Sequence, residues 1–193
     1  MAALHSDLAR LLNENAANLR RAESLVAGLS PAQFNWRSEP GRWSIGECLS
    51  HMNIINSGEP KPVEIAITDA RARGIVSAGP YRYGFLSTWF VKNMDERPKR
   101  KFKAPKYYLP PPDSDPAKTL DEYRCNSATM AALMEKANGL DLARVKVPLI
   151  QPRWLKMPLG ARFALLTAHD RRHLWQAGQV RSHPVSPRKS TSN

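Results

Sequence analysis

The stretch that decides the fold is LLTAHDRRHLWQA, at residues 165–177. Residues four apart lie one above the other on a helix, so His169 and His173 share one face. The two histidines continue an apolar stripe with spacings of three, four and seven residues. The apolar members of this stripe are Leu159, Phe163, Leu166, Ala177 and Val180. Both imidazoles are therefore expected to point inward, away from a charged side that carries Arg171 and Arg172.

Two inward histidines one turn apart suggest a metal site, because neutral imidazole is a ligand for zinc, nickel, iron and copper. The pair alone leaves a second interpretation open. One histidine could pack in the core with a hydrogen bond to a carbonyl while the other lies at its edge. A third ligand elsewhere in the chain would favour the metal.

The chain has 193 residues, of which 42% are hydrophobic, and two cysteines. We expect a single domain over residues 1–183 and a disordered basic tail over 184–193. No apolar run approaches the ~20 residues of a membrane span, and the N-terminal segment lacks the apolar core of a secretory signal. Cys48 and Cys125 are too few for a disulfide framework. The sequence thus predicts a cytoplasmic protein with reduced thiols and no membrane partner.

The net charge of +12 raises the question of a nucleic-acid partner. Much of this charge lies in RPKRKFKAPKYY, at residues 97–108, where basic residues are interspersed with aromatic ones. Phosphate contacts and base stacking could use such a segment, but a solvated loop is the commoner explanation. We expect no specific nucleic-acid binding from the basic part, residues 97–106, and favour a lid or rim over a pocket as its role.

Helical periodicity and capping signals predict four long helices. The first runs from about residue 4 to 26, and the second begins after Ser44, which matches a capping box with Glu47. The second helix carries His51 at the border of its apolar stripe and is interrupted by prolines near residues 57–62. A third helix begins at the cap Asp115, and the last contains the opening stretch.

The segments between the helices are irregular. Residues 75–113 are rich in proline and offer only a short helix near 85–94, and residues 145–159 read as an extended connection. No segment of useful length alternates with the period of a β-strand. These features predict an all-α bundle with a long insertion between its second and third helices.

Two motifs resemble those of the DinB/YfiT-like superfamily. WSIGECLSH, at residues 43–51, resembles its W-S-x-x-E-x-x-x-H segment, and HDRRHLWQ, at residues 169–176, resembles its H-x-x-x-H-x-x-Q segment. The resemblance implies a four-helix bundle of up-down-down-up topology, often dimeric, with a metal held by one histidine of the second helix and two of the last. Carried over, the ligands are His51, His169 and His173. The insertion at 75–113 departs from smaller members and leaves the substrate open.

Three neutral histidines leave a coordination position for water or substrate, which is the arrangement of catalytic metal sites. We therefore predict a metal-dependent enzyme acting on a small molecule, with a hydrolase and a low-molecular-weight-thiol transferase both open. Zinc or nickel is expected before iron or manganese. The alternative is a binding or stress-response module with a structural or vestigial metal, whose basic insertion contacts an acidic partner.

Several residues near the histidines have two readings each. Glu47 could orient an imidazole or act as a base, although the capping box accounts for it. Gln176, one turn after His173, could hydrogen-bond near the ion or link two helices. Asp170 is expected to pair with a cation or to support a ligand. Cys48 could border the metal, and we favour a small buried thiol.

Association is predicted from the resemblance and from three aromatic side chains expected to be exposed, Trp89, Phe90 and Trp175. Two-fold homodimers are the commonest oligomers, so we expect a homodimer formed by bundle helices. Neither motif indicates which surface would be used.

Overall fold

The computed structural model describes residues 3–94, 104–149, 152 and 154–184. Most of this part of the chain is helical, in agreement with the predicted all-α class. The α-helices are α1 Ser6–Val26, α2 Pro31–Phe34, α3 Ile45–Ser57, α4 Pro60–Ala72, α5 Phe85–Asn93, α6 Pro116–Lys136 and α7 Leu159–Arg181, with a 3-10 turn at Lys106–Tyr108. No helix of the described residues is long and apolar enough to cross a membrane. The basic run at 97–106 is described only from residue 104, and the predicted tail lies outside the described residues beyond 184.

The described residues include two short strands, which no alternating segment of the sequence indicated. They are β1 Lys146–Pro148 and β2 Lys156–Pro158, which pair antiparallel with Val147 opposite Met157. Three residues are too few for an alternating pattern to stand out in the sequence. The hairpin leads directly into α7, so it fixes where the histidine-bearing helix begins.

The helix starts follow from local side-chain chemistry. At the start of α3, the Ser44 hydroxyl accepts from the Glu47 amide at 3.0 Å and the Glu47 carboxylate accepts from the Ser44 amide at 2.9 Å, which confirms the predicted capping box. The Asp115 carboxylate caps α6 by accepting from the Lys118 amide at 2.8 Å, also as predicted. The cap of α1 is the His5 ring, which the sequence did not indicate.

Helices α1, α3, α6 and α7 form the bundle. They pack in a ring in which α1 and α3 each contact both α6 and α7. Buried amides join them: the Asn15 side chain donates to the Ser127 carbonyl at 3.1 Å, and the Asn18 side chain donates to the Thr167 carbonyl at 3.0 Å. All five apolar residues of the predicted α7 stripe are buried. The inward face of α7 therefore lies where the sequence placed it.

A buried ion pair joins the start of α4 to α7. Arg162 Nε donates to Glu59 Oε2 at 2.7 Å, and Arg162 Nη2 donates to the other carboxylate oxygen. The Arg162 side chain is 7% exposed and that of Glu59 is 0% exposed. This pair connects the element that follows the His51 helix to the helix that carries the other two histidines.

Two expectations about side-chain exposure are wrong. Arg172, predicted on a charged face, is 6% exposed, and its Nη1 lies 3.9 Å from the sulfur of Met94. Trp175, predicted to be exposed, is half-buried, whereas Trp89 and Phe90 are exposed as expected. The insertion places α5 against the outer face of α7. The periodicity of a helix sequence does not show that another segment of the chain covers that face.

Candidate metal centre

The structure brings the three predicted histidines together. His51 projects from α3, and His169 and His173 project from α7, so the packing of these two helices makes their inward faces meet. One ring nitrogen from each histidine lies within 4.8 Å of the other two. The ring centroids are 5.2 Å apart for His51 and His169, 4.6 Å for His51 and His173, and 4.5 Å for His169 and His173.

The cluster is largely closed to solvent. His51 is 3% exposed, His173 is 8% exposed, and the His169 side chain is 12% exposed. Trp43, the residue before the α3 cap, forms one wall, with its ring centroid 4.7 Å from that of His51 and 5.5 Å from that of His173. The centre is therefore largely shielded from water, and polar groups in such a site interact strongly.

The insertion supplies one contact of the centre. His51 Nδ1 lies 2.7 Å from the backbone carbonyl oxygen of Tyr108. A carbonyl only accepts hydrogen bonds, so Nδ1 of the neutral ring carries the proton and Nε2 keeps its lone pair free. The segment around Tyr108 thus fixes the His51 tautomer that is suited to binding a metal through Nε2.

Burial keeps two of the imidazoles neutral. It lowers the pKa of His51 to about 4, assisted by the neighbouring His169 and opposed by the Tyr108 carbonyl. Burial, with the nearby His169, His51 and Arg172, also holds the pKa of His173 well below its usual range, while the Gln176 side chain opposes this shift. Neutral imidazole is the form that binds metal, so both rings are ready ligands at pH 7.

The unpaired nitrogens of the cluster fit a bound ion. Nδ1 of His169 and Nδ1 of His173 are buried, and neither has a hydrogen-bond partner among the residues that the structure describes. A buried polar atom that lacks a partner costs about 1–3 kcal/mol, so two such atoms at one place need a reason. A divalent ion ligated by the three rings would bind one nitrogen of each ring, and the other nitrogen of each ring would then carry the proton and need an acceptor.

A carboxylate lies beside the cluster. Asp170 accepts from Asn56 Nδ2, at 3.2 Å to Oδ1 and 2.9 Å to Oδ2, and from the Tyr123 hydroxyl at 3.0 Å to Oδ2. Its Oδ1 lies 3.7 Å from Nδ1 of His169. The sequence marked Asp170 as a supporting group but gave no sign of Asn56 or of the Tyr123 hydroxyl, which come from two other helices.

The other candidate residues lie outside the ligand cluster. Glu47 is held by the cap and by Arg37, whose Nε donates to Oε2 at 2.7 Å and whose Nη2 donates to Oε1. The capping interpretation of Glu47 is therefore confirmed, and Arg37 engages both oxygens of its carboxylate. Cys48 is fully buried, and burial raises the pKa of its thiol well above the usual range. The side-chain oxygen of Gln176 is buried and has no hydrogen-bond partner.

One comparison with known proteins gives a match. A sequence model of the DinB superfamily matches residues 14–177, a span that contains all three histidines. No curated protein and no solved structure matches the chain significantly.

Proposed function

The chain belongs to the DinB superfamily, and from this premise we propose that it is a metal-dependent enzyme acting on a small molecule at His51, His169 and His173. The observation that carries the proposal is the convergence of three buried imidazoles, each with one ring nitrogen within 4.8 Å of the others. Nδ1 of His173 is also buried, and no group in the described part of the chain hydrogen-bonds to it.

The chain's residues suit an ion with an open coordination position. His51 would bind through Nε2, because the Tyr108 carbonyl engages its Nδ1. Three neutral nitrogen ligands favour zinc or nickel, with iron or manganese as alternatives, and leave room for water or substrate. The ion would supply a Lewis acid that activates water, as in a hydrolase, or a thiol, as in a low-molecular-weight-thiol transferase.

The surroundings favour a small substrate. The histidines are nearly closed to solvent, Trp43 packs against His51 and His173, and the backbone of Tyr108 in the insertion contacts His51. A macromolecule could not reach ring nitrogens at this depth without displacing these groups. The buried side-chain oxygen of Gln176 lies near His173, where it can accept a hydrogen bond from the His173 ring or from a bound substrate.

We also propose that the long helices form the up-down-down-up bundle expected for the family. Two pairs run in the same order along α1 and α7, from Glu14 with Arg171 to the Ser24 carbonyl with Arg181, which supports a parallel arrangement. The order reverses between α3 and α7, since His51 lies near His173 and Glu59 pairs with Arg162.

A homodimer remains part of the proposal. The exposed rings of Trp89 and Phe90, 5.3 Å apart in α5, support it because exposed apolar groups mark contact surfaces. Light scattering at micromolar concentration tests this, and a monomer mass would remove the dimer without affecting the metal centre.

The enzyme proposal is tested with protein purified without a histidine tag. The protein is freed of metal with a chelator, reloaded with zinc or nickel, and assayed against ester and amide hydrolysis and against transfer of small thiols to electrophiles. The control is His183→Ala, because His183 lies against Trp36, outside the centre. Activity that depends on metal and survives His183→Ala supports the proposal. Metal binding without any metal-dependent turnover would favour a binding module instead.

A further inference from the structure

Asp170 is a buried carboxylate, and no lysine or arginine in the described part of the chain forms an ion pair with it. Three acidic side chains are buried in the described part of the chain, and two of them, Glu47 and Glu59, are bound by Arg37 and Arg162. Asp170 is 5% exposed and instead receives neutral donors. Its negative charge is therefore not balanced by an arginine, although burying it costs free energy.

Two helices hold this carboxylate in one orientation. Asn56 from α3 and the Tyr123 hydroxyl from α6 donate to it at 2.9 Å and 3.0 Å, and both of these bonds end on Oδ2. Burial, with Asp170 itself, raises the pKa of Tyr123 well above its usual range, so the hydroxyl keeps its proton and remains a donor. The charge is thus fixed in place by groups that leave it unneutralised.

The remaining oxygen faces a metal-ligand candidate. Oδ1 has only the longer bond from Asn56, at 3.2 Å, and lies 3.7 Å from Nδ1 of His169. That distance is too long for a hydrogen bond, and Nδ1 has no other partner. An acceptor with spare capacity therefore lies next to a buried nitrogen that lacks a bond, and a shift of less than an ångström would join them.

We propose that Asp170 is a positioning residue for the metal centre, accepting a hydrogen bond from Nδ1–H of His169 when Nε2 of that ring binds the ion. The inference rests on the proposed metal-binding function. A carboxylate in this position fixes the tautomer and the ring orientation and makes the imidazole a stronger ligand. His51 receives the equivalent support from the neutral Tyr108 carbonyl, so the two rings are held by acceptors of different charge. Asn56 and Tyr123 extend this support to α3 and α6, and metal binding on α7 is thereby linked to the packing of three helices.

The test measures metal affinity and not turnover. Asp170→Asn keeps the side-chain shape and removes the charge, and is expected to weaken the Kd for Zn²⁺ and Co²⁺ by about 10- to 100-fold in chelator competition. Tyr123→Phe removes one bond to Oδ2 and leaves the charge, so it is expected to weaken the Kd less. The visible spectrum of the Co²⁺-loaded protein should shift in Asp170→Asn, since the ligand field of one imidazole changes. Asp69→Asn, on the surface of α4, is the matched control and should leave both readouts unchanged.

The possible outcomes distinguish a failure of the positioning role of Asp170 from a failure of the proposed metal-binding function. Wild-type metal affinity and an unchanged Co²⁺ spectrum in folded Asp170→Asn would overturn the positioning role while leaving the metal centre intact. The positioning role would also be overturned if metal-free Asp170→Asn and Tyr123→Phe melt at a lower temperature but bind Zn²⁺ and Co²⁺ with the wild-type Kd. The carboxylate would then only link helices. If Asp170→Asn does not fold, a Tyr123→Phe variant with wild-type Kd overturns the inference. Failure of the wild-type protein to bind any metal would instead overturn the proposed function, and the inference with it.

Discussion

Replacing Glu59 with Gln should strongly destabilise the protein, because it leaves Arg162 buried without a counter-charge. The Arg162 side chain is 7% exposed, so water cannot replace the lost carboxylate. Removing one partner of a buried pair costs about 3–5 kcal/mol. For a chain of this size, each kcal/mol lowers the melting temperature by about 2–4 °C, so we expect a loss of roughly 10 °C. Urea unfolding and thermal melting of metal-free protein at pH 7 measure both quantities.

The matched control is the same substitution at Glu64, on the same helix. The Glu64 carboxylate pairs with Lys136 at 2.6 Å, but the two side chains are 54% and 48% exposed. Exposed pairs contribute about 0–1 kcal/mol, so Glu64→Gln should change the stability little. A Glu59→Gln variant as stable as Glu64→Gln would refute the argument that this pair fastens α4 to the histidine-bearing helix.

Two further predictions concern the histidines and their tryptophan wall. Because burial lowers the pKa of His51 from 6.5 to about 4, the unfolded chain takes up a proton between these pH values that the folded chain does not. His51 alone should therefore remove about 3 kcal/mol of stability from the metal-free protein as the pH falls from 6.5 to 4, and His173 should add to this loss. Urea unfolding across this range should show a smaller loss in His51→Gln than in the wild type. Equal losses in the two proteins would contradict this. Since the Trp43 ring lies 4.7 Å from that of His51, Co²⁺ or Ni²⁺ binding should quench its fluorescence. Trp43→Phe should remove most of the quenching while keeping the metal, and unchanged quenching in that variant would place the ion elsewhere.

Local sequence signals predicted the long helices and the inward direction of two histidines. A helix repeats its faces every three to four residues, so the inward direction of His169 and His173 could be read from the apolar stripe around them. The capping box of Ser44 and Glu47 fixed the start of α3, and with it the direction of His51. Neither pattern predicted that α3 and α7 bring their histidines together. That prediction came from the family resemblance.

Contacts between residues far apart in the chain could not be predicted from the sequence, for a physical reason. The groups that support the histidines are a backbone carbonyl, at Tyr108, and side chains that are 47 and 114 residues from Asp170 along the chain. A carbonyl is present at every residue and has no signature, and a polar residue on an apolar stripe does not reveal its partner. The burial of Arg172 was missed for the same reason, because its cover is the insertion.

The most direct test of the metal centre is the metal content of the purified, untagged protein and of His173→Ala. The wild-type chain should carry about one divalent ion, as three histidine ligands require, with its identity depending on which metal is available during growth. His173→Ala should lose the ion and keep its helical circular dichroism, while His183→Ala should keep both. Full metal occupancy in a folded His173→Ala protein would contradict the assignment of His51, His169 and His173 as the metal ligands.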